Sequence, residues 1–433
     1  MTSLHDLPDE LLRLICEYVQ EHTALRDLGL VSRKYHAITL PYICKHVDTR
    51  RISVPQLINC LHKRPEVGQG IHTLDIGDWP ALNDSQDQVN KICTNVLADR
   101  STYGKHLSSY IKKETSTSRM LLRALLVLTP NVEVINFHIT PYNTFSYTTM
   151  CALASFITSF QLLEEINVSH EEGGLEFSME LYCPLLNIAR ALSKLTISNC
   201  VYAELEDLPR GSYPHLRELR LKSVKLYGPQ LIWIMRACSR LEIFEYGTDH
   251  DTKFWMTPQQ LSTALQPVKN SLKTLIIDLT AQDKLFRGID PIKSLREFTQ
   301  LEELVLSQED IVDNTNIQVR EEYPDLIRPF FVTMRNPIAD KLPTSLRTLQ
   351  VKNTDQTFDY ELGKLAMVVE SDLPHLKLIR VDHDFGEDAE GTVRTYTSYI
   401  SRKDILCGED FAGIGICSAV TLQAKQDLYA KRR

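Results

Sequence analysis

The chain has 433 residues, 43% of them hydrophobic and 24% charged, with a net charge of -8 and a pI near 5.9. That is globular composition, with material for two or three domains of ordinary size or one extended repeat array. The mild acidic excess argues against nucleic acid, whose phosphates require concentrated Lys and Arg.

No secretory signal is expected, because Asp6, Asp9 and Glu10 stand where a positive start and an uninterrupted apolar run are needed. The most apolar run, Met120 to Thr129, is about half the length that spans a bilayer and carries Arg123, so a buried helix is expected there and no membrane span. The ten cysteines are scattered from Cys16 to Cys417 with no C-x-x-C pair. Such spacing fits a reducing compartment, with cysteines as small core residues. The expected location is the cytoplasm, the nucleus or both.

The first elements are helices. In "LHDLPDELLRLICEYV", Leu4 to Val19, Pro8 suits a first helical turn and Asp6 can cap it. Leu11, Leu12, Ile15 and Val19 recur at helical spacing. A second helix is expected over Thr23 to Leu28. A third is expected from Val31 or Ser32 to about Ile38, stopped by Leu40 and Pro41. Three such short helices hold more apolar surface than they can bury among themselves, with Leu4, Leu7, Leu12 and Ile15 left over. A surplus of this kind either marks a partner interface or packs against the rest of the chain.

This segment resembles the F-box, a three-helix module. The resemblance lies in Leu7, Pro8, Glu10, Leu11, Leu12 and Ile15, followed by Leu25, Asp27, Leu28, Val31, Ser32 and Arg33. Tyr35 stands where that family usually has Trp, and the spacing from Val19 to Leu25 is looser than its common pattern. The resemblance implies docking onto a Skp-type adaptor and, through it, onto a cullin scaffold carrying a RING protein. It further implies that Leu7, Pro8, Leu11, Leu12 and Ile15 face the adaptor, with Val31 and Tyr35. Some of these must instead hold the three helices together.

Farther along, one seven-residue phrase returns: apolar-x-x-apolar-x-apolar-x. It starts at Ile71, Val132, Leu163, Leu192, Leu216, Leu241, Leu272, Leu301, Leu346 and Leu376. From Val132 on, successive starts differ by 31, 29, 24, 25, 31, 29, 45 and 30 residues. Each phrase ends in two-residue alternation, as a strand with one buried face does. Helical stretches lie between phrases, at Tyr227–Cys238, Thr257–Val268 and Tyr360–Glu370. Strand, helix and return at this period resembles the leucine-rich repeat, whose units stack into a curved solenoid. The alternative is an ordinary α/β domain in which strands and helices merely alternate. The closing Asn or Cys of the repeat stands out only at Cys200.

The fold expected is therefore α/β: a short N-terminal three-helix F-box followed by a degenerate leucine-rich-repeat solenoid with a curved parallel sheet and outer helices. Its divisions fall at residues 1–48 for the F-box, 49–70 for a linker helix, 71–391 for the solenoid and 392–433 for a C-terminal cap and tail. Two polar stretches, Asp78–Ser118 and Ser307–Asp325, are expected to loop out of the stack.

Catalytic chemistry finds little support. "DHDFGED", Asp382 to Asp388, reads as a solvated acidic turn, and "DHD", Asp249 to Asp251, likewise. There is no P-loop, no H-E-x-x-H, no G-x-S-x-G and no zinc spacing. No cofactor is expected. The residues between the apolar ones of each phrase point to one sheet face: Asp75, Asn136, Glu165, Asn167, Lys194, Glu218, Arg220, Glu245, Glu303, Gln350 and Arg380. Their mixed signs suit a protein partner, although the solvent face of any sheet is polar. The expected role is the substrate-recognition subunit of an Skp–cullin–F-box ubiquitin ligase, non-catalytic itself and monomeric apart from that assembly. The rival is a scaffold that binds the adaptor without forming a ligase. A repeat-fold hydrolase ranks far behind both.

Overall fold

The computed structural model describes residues 4–19, 21–77, 89, 91–96, 117–139, 161–170, 189, 191–200, 213–224, 226, 228–248, 256–279, 290–312, 338–354, 358, 362, 365, 369, 371–387 and 393–401. The chain divides into two compact units, residues 1–198 with 207–209, and residues 199–206 with 210–433.

The first unit opens with three helices, α1 (Asp9–Tyr18), α2 (His22–Val31) and α3 (Arg33–Ile43). Leu12, Cys16, Leu25, Tyr35 and Ile38 form their core, with Leu7, Val19, Leu28, Tyr42 and Ile43 packed around it. Gly29 lets α2 approach α3, since a Cβ there would lie 2.7 Å from Thr39 Oγ1. Lys34 Nζ pairs with Asp9 at 3.0 Å, joining α3 to α1. Ser32 caps α3, accepting the Tyr35 N–H at 3.2 Å.

Two expectations fail here. Asp6 lies in a separate 3-10 turn (Leu4–Asp6), and Pro8 itself is the N-cap of α1. Nor does Pro41 stop α3, which runs on to Ile43. A proline in a last turn removes a single N–H, and the packing of Tyr42 and Ile43 on the core holds that turn in place.

A short strand follows directly, β1 (His46–Asp48). It stands inside the segment assigned by sequence to the three-helix module, yet it pairs in parallel with β2 (Thr73–Ile76), Val47 opposite Leu74. Between them lie two helices where one was expected, α4 (Val54–Lys63) and α5 (Pro65–Gln69). Pro65 pushes Arg64 out of helical geometry, to φ -132 and ψ 74, and so divides them. The apolar run of Met120 to Leu128 lies in α6 (Thr117–Leu128), its side chains buried against α4 and α5 except for the partly covered Val127.

Each repeated phrase is a strand. In the first unit β2 is followed by β3 (Val134–Ile139), β4 (Glu165–His170) and β5 (Lys194–Cys200), each parallel to the one before. The second unit begins with β6 (Glu218–Val224), α7 (Gly228–Ala237), β7 (Ile243–Gly247), α8 (Pro258–Ala264) and β8 (Thr274–Asp278). It continues with β9 (Glu303–Ser307), α9 (Gln308–Ile311), α10 (Ile338–Lys341), β10 (Thr348–Thr354) and β11 (Leu378–Glu387). Neighbouring strands from β6 to β11 are parallel, and β12 (Val393–Ser401) returns antiparallel on β11. Register is strict: the central apolar residues Phe244, Leu275, Leu304, Leu349 and Ile379 stand side by side, all buried.

One backbone device recurs at nearly every strand start. The carbonyl of Arg217 accepts two N–H groups, from Glu242 at 2.7 Å and Ile243 at 2.9 Å. The Glu242 carbonyl takes Lys273 and Thr274, that of Lys273 takes Glu302 and Glu303, and that of Glu302 takes Arg347 and Thr348. In the first unit the carbonyls of Lys45, His72, Glu133 and Glu164 do the same. Asn199, Ser223 and Asn353, each the last residue but one of its strand, lie in the left-handed region at φ 59, 54 and 51.

Burial of the three apolar positions per phrase is the main stabilising term, about 1.5–3 kcal/mol for each fully buried side chain before chain entropy is counted. α8 carries a capping box, with the Gln260 N–H on Thr257 Oγ1 and the Thr257 N–H on Gln260 Oε1, both at 3.0 Å.

The two stretches expected to loop out are partly structured. Residues 91–96 are helical, with Val89, Cys93 and Val96 buried. Ser307 to Ile311 completes β9 and forms α9, where Asp310 accepts the Ser307 N–H at 2.8 Å. Residues 313–337 lie outside the described set. Asp382 to Glu387, expected as a turn, extends β11 because β12 gives it a partner. Asp249–Asp251, most of 360–370, and 402–433 are also outside the described residues. Among the described residues no helix is long and apolar enough to cross a membrane.

Candidate partner-binding surfaces

α1 is apolar on two arcs. Leu12, Cys16 and Val19, at i, i+4 and i+7, face the core of the three helices, with Leu12 only 1% exposed. Leu11, Leu14, Ile15 and Tyr18, at i, i+3, i+4 and i+7, form a second stripe open to solvent, with Leu11 46% and Tyr18 83% exposed. Leu30 and Val31, at the end of α2, are exposed at 77% and 62%. The described residues leave these side chains uncovered. A helix with both arcs apolar has more apolar surface than its own module uses.

The seven residues expected to face an adaptor therefore separate. Pro8, Leu11, Ile15 and Val31 are exposed, Leu7 is half-buried, and Leu12 and Tyr35 belong to the core. Leu14, Tyr18 and Leu30 join the exposed set and were missed. Their signal was available for α1, since Leu14 and Tyr18 share a face with Leu11.

The second surface is the polar face of the strands. In the first unit Asp75, Asn136, Asn167 and Thr196 stand side by side. His46 Nε2 lies 2.8 Å from Asp75 Oδ2. Asn136 Nδ2 donates to Asp75 Oδ1 at 2.6 Å, and Asn167 Nδ2 donates to Asn136 Oδ1 and to Glu165 Oε1, each at 2.8 Å. Lys194 Nζ stands 3.7 Å from Glu165. The sequence-derived residues Asp75, Asn136, Glu165, Asn167 and Lys194 thus form one continuous polar chain. Beside it the Arg50 guanidinium hydrogen-bonds Asp48 and holds that carboxyl below its usual range, outweighing partial desolvation.

In the second unit Arg220 donates to Glu218 and, at 3.0 Å, to Glu245. Desolvation works against the Arg220 charge, but the two carboxylates more than offset it and raise its pKa. Lys222 also reaches Glu245, at 3.3 Å. Gln350 Nε2 donates to Asp382 at 2.7 Å, and Arg380 Nε to the same carboxylate at 3.2 Å. Lys352 Nζ reaches Asp278 at 2.9 Å, two strands away. Glu303 is exposed and accepts from the Thr274 hydroxyl at 3.3 Å.

A third arrangement went unseen in the sequence. The second residue of successive phrases alternates in sign: Arg217, Glu242, Lys273, Glu302, Arg347. Glu242 lies 3.2 Å from Arg217 and 2.7 Å from Lys273, and Arg347 lies 3.5 Å from Glu302.

On the same face of β3 and β4 the Ser169 hydroxyl lies 3.0 Å from His138 Nδ1. Among the described residues no group of His, Cys, Asp and Glu fit to hold a metal occurs. The surfaces present open apolar side chains on the helices and polar rows on the strands whose charges are mostly paired with one another. Among known proteins, no family model and no curated sequence matches the chain.

Proposed function

We propose that the protein is the substrate-recognition subunit of an Skp–cullin–F-box ubiquitin ligase. The three helices hold a Skp-type adaptor, and the strands, read as a leucine-rich-repeat solenoid, hold a protein target. No bond is broken by this chain. It raises the effective concentration of target near the ubiquitin carrier. The observation that carries the reading is the second apolar stripe of α1, open to solvent on a helix whose first stripe already fills its own core.

The test is capture of purified Skp-type adaptor by the full chain and by Leu11→Asp/Ile15→Asp. Both residues are exposed, so the variant keeps its fold. The wild type retains adaptor and the variant loses it. Equal capture by both refutes the reading. Recovery of adaptor without cullin from cells identifies the scaffold role instead.

A further inference from the structure

Among the described residues, most charged side chains on the polar face of the second unit pair with one another. Arg220 and Lys222 are matched by Glu218 and Glu245, Lys352 by Asp278, and Arg380 by Asp382. A partner that broke such a cluster would have to repay its desolvation. Glu303 differs. It is exposed, and its hydrogen-bond partner among the described residues is an uncharged hydroxyl, that of Thr274.

The same place is the apolar part of that face. In the row where β6, β7, β10 and β11 carry Arg220, Glu245, Gln350 and Arg380, β8 and β9 carry Ile276 and Val305, opposite one another in register. Ile243 adds a half-buried apolar side chain on β7, Ile276 is half-buried, and Val305 forms a buried floor. Glu303 and Val305 are two residues apart on one strand, so they share this face about 7 Å apart.

We propose that this face over β7–β9 receives an extended target segment in which a Lys or Arg lies two residues from an aliphatic side chain. The cation meets Glu303 and the aliphatic group covers Ile276. Alternate residues of an extended segment lying along β9 have that spacing. Covering an apolar patch favours association, and a carboxylate with no cation beside it among the described residues selects the sign of the partner. Acidic segments are repelled. The inference rests on the reading of the repeats as the target-binding surface.

The experiment is selection of displayed random nonapeptides on the full chain, followed by fluorescence anisotropy of an enriched peptide. The expected result is enrichment of Lys or Arg two positions from Val, Ile or Leu. Glu303→Lys weakens the enriched peptide by about tenfold, and replacing the peptide's cation with Glu restores binding to that variant. Glu302→Lys, the same charge change outside this row, leaves binding unchanged. No enrichment, acidic enrichment, or equal effects of Glu303→Lys and Glu302→Lys overturns the inference. Adaptor capture by Glu303→Lys is measured in parallel. It stays intact whether or not the peptide binds, so failure at this face is separable from failure of the ligase reading.

Discussion

Gly68 of α5 touches the carbonyl of Leu128 so closely that a methyl group added to it would lie 2.1 Å from that oxygen. The neighbour is backbone at the end of α6, so it has no side-chain rotation with which to yield. Gly68→Ala is expected to cost about 1–3 kcal/mol, as overpacking does. Gly228, at the start of α7, has no described atom within 4 Å of the corresponding position, and Gly228→Ala is expected to be neutral or to stabilise by up to about 0.5 kcal/mol. Thermal unfolding of the two variants makes the comparison.

Leu11 and Leu12 are adjacent and chemically identical but face different surroundings. Leu12→Ala is expected to loosen the three helices by about 2–5 kcal/mol. Leu11→Ala should change their stability by no more than about 0.5 kcal/mol. Hydrogen exchange of the α1–α3 amides reads this difference without requiring the whole chain to unfold in one step.

The alternating charges at the strand starts predict a salt-dependent effect. Glu242→Lys sets a third cation between Arg217 and Lys273, and the Lys273 amine loses its 2.7 Å partner. A loss of about 1 kcal/mol is expected at low salt, shrinking as salt is raised. Glu164→Lys, next to Glu133 in the matching column of the first unit, should be neutral or stabilising. Melting temperatures at two ionic strengths compare them.

Buried thiols give a pH dependence. Burial pushes Cys93 and Cys238 from the ordinary 9.0 up to about 12. Below pH 9.0 they are protonated in folded and unfolded chains alike, and their contribution to stability is complete. Above it the unfolded chain ionises first, so stability is lost as pH rises from about 9 to about 12. Cys238→Ala should flatten the alkaline fall in melting temperature, even though its neutral-pH value drops. A slope unchanged from wild type would assign the fall to other groups.

Much of the fold was legible because it is periodic. Two-residue alternation marked the apolar phrase at the start of each strand from β2 to β11, as a strand with one buried face shows, but not the Asp382–Glu387 half of β11, whose polar residues are strand through pairing with β12. β1 escaped because its phrase is cut short: Val47 is followed by Thr49 rather than an aliphatic residue, and the Thr49 hydroxyl donates to the Asp75 carbonyl at 2.8 Å instead. The docking surface was half legible. Helical spacing showed that α1 was over-supplied with apolar residues, but Leu11 and Leu12 differ only in which arc α2 and α3 happen to cover. That depends on tertiary packing. The alternating charge column lay in plain view at Arg217, Glu242, Lys273, Glu302 and Arg347, but single positions spaced a repeat apart leave no local signature.

The doubly accepting carbonyls have a bearing on how the chain is made. Each of these strands pairs with the one synthesised just before it, and its first two amides dock on an oxygen that has already left the ribosome. A nascent chain can thus extend its sheet strand by strand, with no edge waiting for a distant segment still to be translated. Among the described strands β12 alone reverses direction, and it does so after the last parallel strand is in place.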